Sequence, residues 1–170
     1  LYDLIPLLNP EHYLKPNPQY AQYYLHKVEQ LKKVAVYLAI SAFTRQEGLA
    51  HLETSDSSVV NVSAATEPNF QVINIDDDVA SQLRQKFSIT RPFILYTGGA
   101  DERKNLPRLI QAFAALPNKL RMGHQLLLAG KIEFTSIAEL SGLAKAAGLK
   151  PDDLRFTGYV TNEELVQLYN

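Results

Sequence analysis

The sequence predicts an α/β fold with parallel sheets covered by helices. Short apolar or β-branched runs alternate with segments of helical periodicity, and helix-capping signals fall between them. Of the 170 residues, 46% are hydrophobic and 21% are charged, which is the composition of an ordinary globular protein. A chain of this length can bury a core within one or two domains.

The first half of the chain is predicted to contain three helices and several short strands. Asn17 and Pro18 are typical of a helix cap and a first helical residue, and Ser41 can cap the next helix. In chain order we predict a strand at Leu1–Leu8, a helix from Pro18, a strand at Val34–Ile40, a helix to His51, strands at Ser58–Ser63 and Val72–Ile75, and a helix from the acidic run Asp76–Asp78 to Phe87.

The second half has a regular alternation of strand and helix after a boundary at Thr90-Arg91-Pro92. The predicted elements are a strand at Phe93–Thr97, a helix at Asn105–Leu116, a strand at Gln125–Ala129, a helix at Ser136–Ala147, a strand at Leu154–Phe156 and a helix at Thr161–Tyr169. Ser136 with Glu139, and Thr161 with Glu164, match the capping-box pattern. Gly148 stands where a helix C-cap glycine belongs.

Composition excludes several classes of function. The net charge of −1 gives no cationic field for nucleic acid, and the absence of cysteine excludes disulfide and thiolate chemistry. No apolar run reaches the roughly 20 residues of a membrane-spanning helix. The four histidines lack metal-ligand spacing, so we expect no metal site. We also expect the chain to be a fragment, because both ends interrupt predicted elements.

The segment from Phe93 to Leu116 carries the clearest signal of chemistry. A buried strand ends at Gly98-Gly99, and the chain enters a helix just after Arg103-Lys104. Glycines allow the backbone to approach a ligand, and a helix N-terminus with two cations favours an anion. The pattern is neither Gly-x-Gly-x-x-Gly nor a P-loop, and it is equally typical of a turn followed by solvated surface. The pattern alone leaves both interpretations open.

Two further predicted strands also end at glycine, at Gly130-Lys131 and Gly158-Tyr159. Open parallel sheets bind ligands at the carboxyl ends of their strands. We therefore predict one crevice at this edge of the sheet.

Several motifs in order resemble the group 1 retaining glycosyltransferases. In the second half these are Phe93–Gly99, Arg103–Leu106, Leu126–Gly130, Phe156–Val160 and Glu163–Leu165. In the first half they are Asp3–Leu7, Ala39–Arg45 and Val59–Val62. The resemblance covers nearly the whole chain.

This resemblance implies a GT-B fold, in which two Rossmann-like domains bind acceptor and donor. It places residues 1–90 in the C-terminal part of the acceptor-side domain with the crossover, and residues 91–170 in the first half of the donor domain. It implies transfer of a hexose with retention, from a UDP- or GDP-linked sugar to a saccharide or lipid-linked acceptor, in surface polysaccharide biosynthesis. No cofactor or metal is expected. The expected location is cytoplasmic, with peripheral membrane association at the inner face as a further expectation.

The resemblance also implies roles for individual residues. Gly98 and Gly99 would approach the donor's diphosphate, and Arg103 and Lys104 would neutralise it. The donor pocket and base would be lined by Gly130, Lys131, Gly158, Tyr159 and Val160. No catalytic residue is assigned, because the family's paired glutamates do not occur in these 170 residues.

The first half departs from the family at one position, and two alternative functions remain open. Tyr2 stands where the family often has a histidine near the acceptor. The fragment alone is expected to be inactive. The alternatives are a non-catalytic Rossmann-like nucleotide-binding or interaction module and a GT-B nucleotide-sugar epimerase.

Overall fold

A computed structural model describes residues 1–170, which form two compact units, Leu1–Glu67 and Pro68–Asn170. Each unit contains a parallel sheet packed against helices. The predicted fold class is confirmed. The two units are defined by residue contacts alone, which do not show what each unit binds. The assignment of residues 1–90 to an acceptor side and of residues 91–170 to a donor side therefore stays a prediction.

The N-terminal unit has a two-stranded parallel sheet, with Tyr37 opposite Val59. Its elements are α1 (Ile5–Leu8), α2 (Pro10–Tyr13), α3 (Pro18–Leu31), β1 (Tyr37–Ala39), α4 (Ala42–His51) and β2 (Val59–Asn61). Its core consists of Leu4, Val28, Tyr37, Ala39, Leu52 and Val59, all buried.

The caps of the two longer helices in this unit are as predicted. The Asn17 side chain accepts a hydrogen bond of 3.0 Å from the Tyr20 N–H at the start of α3. The Ser41 hydroxyl accepts one of 3.0 Å from the Thr44 N–H at the start of α4. Each cap satisfies a backbone donor that has no partner within its helix.

The strand predicted at Leu1–Leu8 is wrong, because residues 1–4 form no strand and Ile5–Leu8 form the short helix α1. Leu1 alone is bonded as a strand residue would be: its amino group donates to the Leu38 carbonyl at 2.6 Å, and the Ile40 N–H donates to the Leu1 carbonyl at 3.2 Å. Pro6 has no N–H for a ladder but fits the first turn of a helix. The Asp3 carboxylate accepts from the Ile5 N–H, at the first residue of that helix, at 3.1 Å.

The C-terminal unit has a three-stranded parallel sheet in the order β3-β4-β5. Its elements are α5 (Asp77–Phe87), β3 (Phe93–Thr97), α6 (Leu106–Ala114), α7 (Asn118–Gly123), β4 (Gln125–Ala129), α8 (Phe134–Ala146), β5 (Leu154–Gly158) and α9 (Asn162–Tyr169). Because all three strands run parallel, their carboxyl ends lie at one edge of the sheet.

Helices cover both faces of this sheet. On one face, Leu126 and Leu128 pack against Ile110 and Phe113 of α6 and against Leu140 of α8. On the other face, Leu127 and Ala129 pack with residues of α5 and α9. All five residues of β4 are buried, as expected for the central strand of a covered parallel sheet.

Two predicted elements of this unit are wrong in detail. Residues 72–75 form no strand, and Val72 is 96% exposed. The Asn170 side chain instead bonds to the backbone here, accepting from the Ile73 N–H at 2.9 Å and donating to the Gln71 carbonyl at 3.2 Å. Helix α8 begins at Phe134, so Ser136 lies inside it and forms no capping box.

Other predicted features of the helix ends in this unit are confirmed. Thr161 and Glu164 form the predicted capping box at the start of α9. Asp76 caps α5 with its side chain, which accepts from the Asp78 N–H at 2.9 Å. Gly148 follows α8 with a φ of +82°, the left-handed conformation that suits glycine after a helix.

A buried polar network closes the amino edge of the sheet. Gln125 is buried, and its Oε1 accepts from the N–H groups of Thr90 and Arg91 at 2.7 and 3.1 Å. The Arg91 guanidinium donates to Asp153 Oδ1 at 3.0 Å. Burial alone would raise the pKa of Asp153, but hydrogen bonds from the Lys150 N–H and from Arg91 outweigh it and hold the pKa below its ordinary value.

Candidate functional site

Three glycines lie side by side at the carboxyl edge of the C-terminal sheet. The Gly98 N–H donates to the Ala129 carbonyl at 2.9 Å, and the Gly130 N–H donates to the Gly158 carbonyl at 3.0 Å. All three glycines have positive φ, of +135°, +143° and +69° in chain order. The structure therefore brings together the three strand ends on which the sequence prediction of a crevice rests.

Gly130 is the most constrained of these residues. A Cβ atom built on it would lie 2.3 Å from the Gly98 carbonyl oxygen, closer than real Cβ atoms come to any atom. Its φ of +143° is also one that residues with side chains rarely adopt. The two backbones can approach this closely only because position 130 lacks a side chain.

The loop after β3 presents free backbone donors. The N–H groups of Gly99, Ala100 and Asp101 have no hydrogen-bond partner within the protein. The Tyr96 hydroxyl donates to the Gly99 carbonyl at 2.7 Å and ties the loop back to its own strand. Successive unpaired N–H groups at a turn are the feature that binds anions in proteins.

Arg103 and Lys104 lie in a short 3₁₀ turn, Glu102–Lys104, rather than directly at a helix entrance as predicted. Asn105 follows in the left-handed conformation with φ of +51°, and α6 begins only at Leu106. Pro107 has no N–H, so the first turn of α6 offers few free donors. The anion-binding potential of this edge therefore comes mainly from the Gly99–Asp101 loop and the two cations.

The two cations differ in their surroundings. Arg103 Nε lies 3.1 Å from Asp101 Oδ1, and the same oxygen accepts from the Arg103 N–H at 3.1 Å. Lys104 is exposed and its ammonium makes no ion pair. Burial raises the pKa of the Tyr96 hydroxyl; Arg103 opposes this shift and Asp101 adds to it, so both charges act at this loop.

The remaining predicted site residues lie at the same edge. Lys131 is exposed, and its carbonyl oxygen lies 3.9 Å from a Cβ atom built on Gly99. Tyr159 is 75% exposed, so its ring is free to contact a ligand. The Val160 side chain packs against the hydrophobic cluster that β4 forms with α5 and α9, so it contributes to the core. The structure adds no residue whose chemistry marks it as catalytic.

Sequence reasoning missed two residues of this edge. Tyr96 holds the loop through its hydroxyl, although its position in an apolar strand predicts only packing. Asp101 caps the 3₁₀ turn, and an aspartate two residues before an arginine carries only a weak signal of that role. Both interactions depend on the turn, which the sequence pattern does not specify.

No group of three or more histidine, aspartate or glutamate side chains is arranged to hold a metal ion. None of the helices combines the length and the apolar character needed to cross a membrane.

A parallel sheet with helices on both faces and a glycine-lined carboxyl edge defines an open, Rossmann-like α/β protein. A family model for the glycosyl transferases group 1 matches residues 79–170, more than half of the chain. The chain therefore belongs to the group 1 glycosyltransferase family.

Individual relatives resemble the chain over almost its whole length. The serotype-specific mannosyltransferase WbdA of Escherichia coli is 33% identical over 169 residues, which cover 99% of this chain and 21% of the relative. The O-antigen chain mannosyltransferase B of Escherichia coli is 26% identical over 99% of this chain and 43% of its own length. The chain thus spans about a fifth of WbdA.

Solved structures share the fold. Anabaena Alr3699/HepE, in complex with UDP and glucose, superimposes with a TM-score of 0.66 at 19% identity, over 94% of this chain and 40% of its own. WaaG, a glycosyltransferase involved in lipopolysaccharide biosynthesis, gives a TM-score of 0.57 at 21% identity, over 76% of this chain and 34% of its own. These similarities confirm the α/β fold of GT-B glycosyltransferases.

Proposed function

We propose that the full protein is a glycosyltransferase that transfers mannose from a nucleoside diphosphate-mannose donor to a growing surface polysaccharide. Family membership and the similarity to two mannosyltransferases support this choice. The observation that carries the proposal is the carboxyl edge of the C-terminal sheet, where close-packed glycines, free N–H groups and two cations meet.

We propose that the donor's diphosphate lies against the loop at Gly98 and Gly99. Unpaired N–H groups in this loop suit phosphate oxygens, and no side chain on either glycine obstructs the approach. The complex of Anabaena Alr3699/HepE with UDP supports a nucleoside diphosphate in a protein of this fold.

Arg103 and Lys104 would then neutralise the diphosphate. Arginine can bind a phosphate through two parallel hydrogen bonds, and lysine supplies a mobile point charge. Negative charge develops on the leaving nucleoside diphosphate as the bond to the sugar breaks, and fixed donors and cations at that position lower the barrier. In this proposal the two side chains take the part of a metal ion, and no cofactor is required.

Gly130, Lys131, Gly158, Tyr159 and Val160 complete the proposed pocket. The exposed Tyr159 ring is the group best placed to contact the base, with the Val160 backbone beside it. We propose that the acceptor is a saccharide or a lipid-linked saccharide, reached by the protein at the cytoplasmic face of a membrane. Transfer is proposed to retain the configuration at the anomeric carbon.

The function is tested by incubating the full protein with GDP-mannose and a mannose-containing oligosaccharide acceptor, with UDP-glucose as the comparison donor. We expect acceptor-dependent release of the nucleoside diphosphate and a lengthened oligosaccharide whose new linkage, read by NMR, keeps the donor's configuration. Nucleotide binding without transfer would instead support a binding module. Transfer from UDP-glucose in place of GDP-mannose would overturn the choice of mannose. Inversion at the anomeric carbon would overturn the retaining reaction.

A further inference from the structure

Asp101 forms an ion pair with Arg103, one of the two cations that we propose bind the diphosphate. A single oxygen, Oδ1, accepts a hydrogen bond from the Arg103 N–H and forms the ion pair with Arg103 Nε, each at 3.1 Å. In this structure, therefore, a carboxylate of the same loop already pairs with the Nε side of the guanidinium. A carboxylate and a phosphate oxygen are alternative partners for the same donors of arginine.

We propose that Asp101 is a built-in competitor of the donor's diphosphate, which holds Arg103 in position in the free protein and releases it when the nucleotide binds. Asp101 is thus a positioning residue that acts through Arg103. This inference rests on the proposed function of the glycine-lined edge.

The exposure of the pair makes such an exchange feasible. The side chains of Arg103 and Asp101 are 49% and 44% exposed. Ion pairs this accessible to water contribute little free energy, so a diphosphate with two charges can displace the carboxylate readily. A buried pair would resist this exchange, because an unpaired buried charge is costly.

The loop geometry adds a second effect. Asp101 belongs to the segment whose free N–H groups face the proposed diphosphate, and its charge acts electrostatically on the Tyr96 hydroxyl that ties this loop to β3. A carboxylate close to a bound anion repels it. Asp101 therefore lowers the affinity both by occupying Arg103 and by repulsion, which favours release of the nucleoside diphosphate after transfer.

The substitution Asp101→Asn separates charge from structure. Asparagine keeps an oxygen that can accept from the Arg103 N–H and cap the turn, but it removes the negative charge. Asp101→Ser also keeps a capping oxygen, and it serves as a second variant should the first fold poorly. Glu133→Gln is the matched control, because it removes one negative charge at the start of α8, at the same edge of the sheet, without touching Arg103.

Isothermal titration of the full protein with UDP and with GDP tests the inference. We expect Asp101→Asn and Asp101→Ser to bind the preferred nucleotide about two- to five-fold more tightly than the unsubstituted protein, the range set by an exposed ion pair. Glu133→Gln should leave the affinity within experimental error. In an Arg103→Ala background the gain should shrink, because only the repulsion between Asp101 and the bound anion is then removed.

Three results would overturn the inference. The first is that both Asp101 variants bind the nucleotide no more tightly than the unsubstituted protein. The second is a gain matched by Glu133→Gln, and the third is a gain that is as large without Arg103 as with it. Failure of the proposed function is distinguishable, because the unsubstituted protein would then bind neither nucleotide. That result would remove the diphosphate site and the inference together.

Discussion

Replacing Gly130 by alanine is the most direct perturbation of the strand edge. The new methyl group would lie 2.3 Å from the Gly98 carbonyl oxygen and 2.9 Å from its carbonyl carbon. Both atoms belong to backbone, so no flexible side chain can move aside. The distance must lengthen to at least 3.0 Å, which requires a shift of β3 against β4.

The size of the effect follows from two contributions. A residue with a side chain at a φ of +143° carries backbone strain of roughly 1–3 kcal/mol. The shift also disturbs one of the hydrogen bonds that flank the contact, from the Gly98 N–H to Ala129 or from the Gly130 N–H to Gly158, each with a net value of about 1 kcal/mol. We expect the free energy of unfolding to fall by roughly 2–4 kcal/mol.

Urea unfolding of the full protein, followed by far-UV circular dichroism, measures this change. Gly142→Ala is the matched control, because Gly142 lies inside α8 with no atom within 4 Å of the added Cβ. That substitution should stabilise the protein by roughly 0.5–1 kcal/mol, since alanine favours a helix interior more than glycine does. If Gly130→Ala unfolds at the same urea concentration as the unsubstituted protein, the close contact at the strand edge is wrong.

Four other substitutions test three separate parts of the structure. Tyr96→Phe removes the hydrogen bond to Gly99 but keeps the ring, and calorimetry with UDP and GDP should show an affinity reduced roughly two- to five-fold, as one lost hydrogen bond permits. Thr161→Ala should lower the free energy of unfolding by roughly 1 kcal/mol because it removes a true cap, whereas Ser136→Ala should be nearly neutral in the same urea experiment. Asp153→Asn tests pH dependence, because the pKa of the Asp153 carboxyl is lower in the folded state than in the unfolded state. The carboxylate therefore stabilises the protein at pH values above its unfolded-state pKa. This stabilisation is lost as the pH falls through the folded-state pKa. The variant should therefore be less stable at pH 7, with the difference shrinking below about pH 4; a difference independent of pH would contradict this.

Much of the C-terminal unit could be predicted because its signals are local. The strand Phe93–Thr97 and the strand Gln125–Ala129 have the predicted bounds, since each is a short apolar run between turn residues. Alternation of strand and helix then requires that the strand ends meet at one edge. The position of Gly98, Gly130 and Gly158 in one row follows from that topology.

The errors arise where distant residues or turn geometry decide. In the segment at 72–75, the Ile73 N–H bonds to the side chain of Asn170, almost a hundred residues away, which no local pattern reveals. The start of α6 depends on Asn105 adopting a left-handed conformation, which asparagine tolerates but does not require. A capping-box pattern at Ser136 fails because the helix begins two residues earlier, at Phe134.

The central claim, that Arg103 and Lys104 bind the donor's diphosphate, is tested most directly by calorimetry of the full protein with UDP and GDP. The double variant Arg103→Ala plus Lys104→Ala should lose at least ten-fold in affinity, since two charge-assisted contacts of about 1.5–3 kcal/mol each are removed. Lys119→Ala plus Lys145→Ala is the matched control: it removes the same charge from α7 and α8 and should bind as the unsubstituted protein does. Unchanged binding by the first pair, or an equal loss in both pairs, would contradict the account.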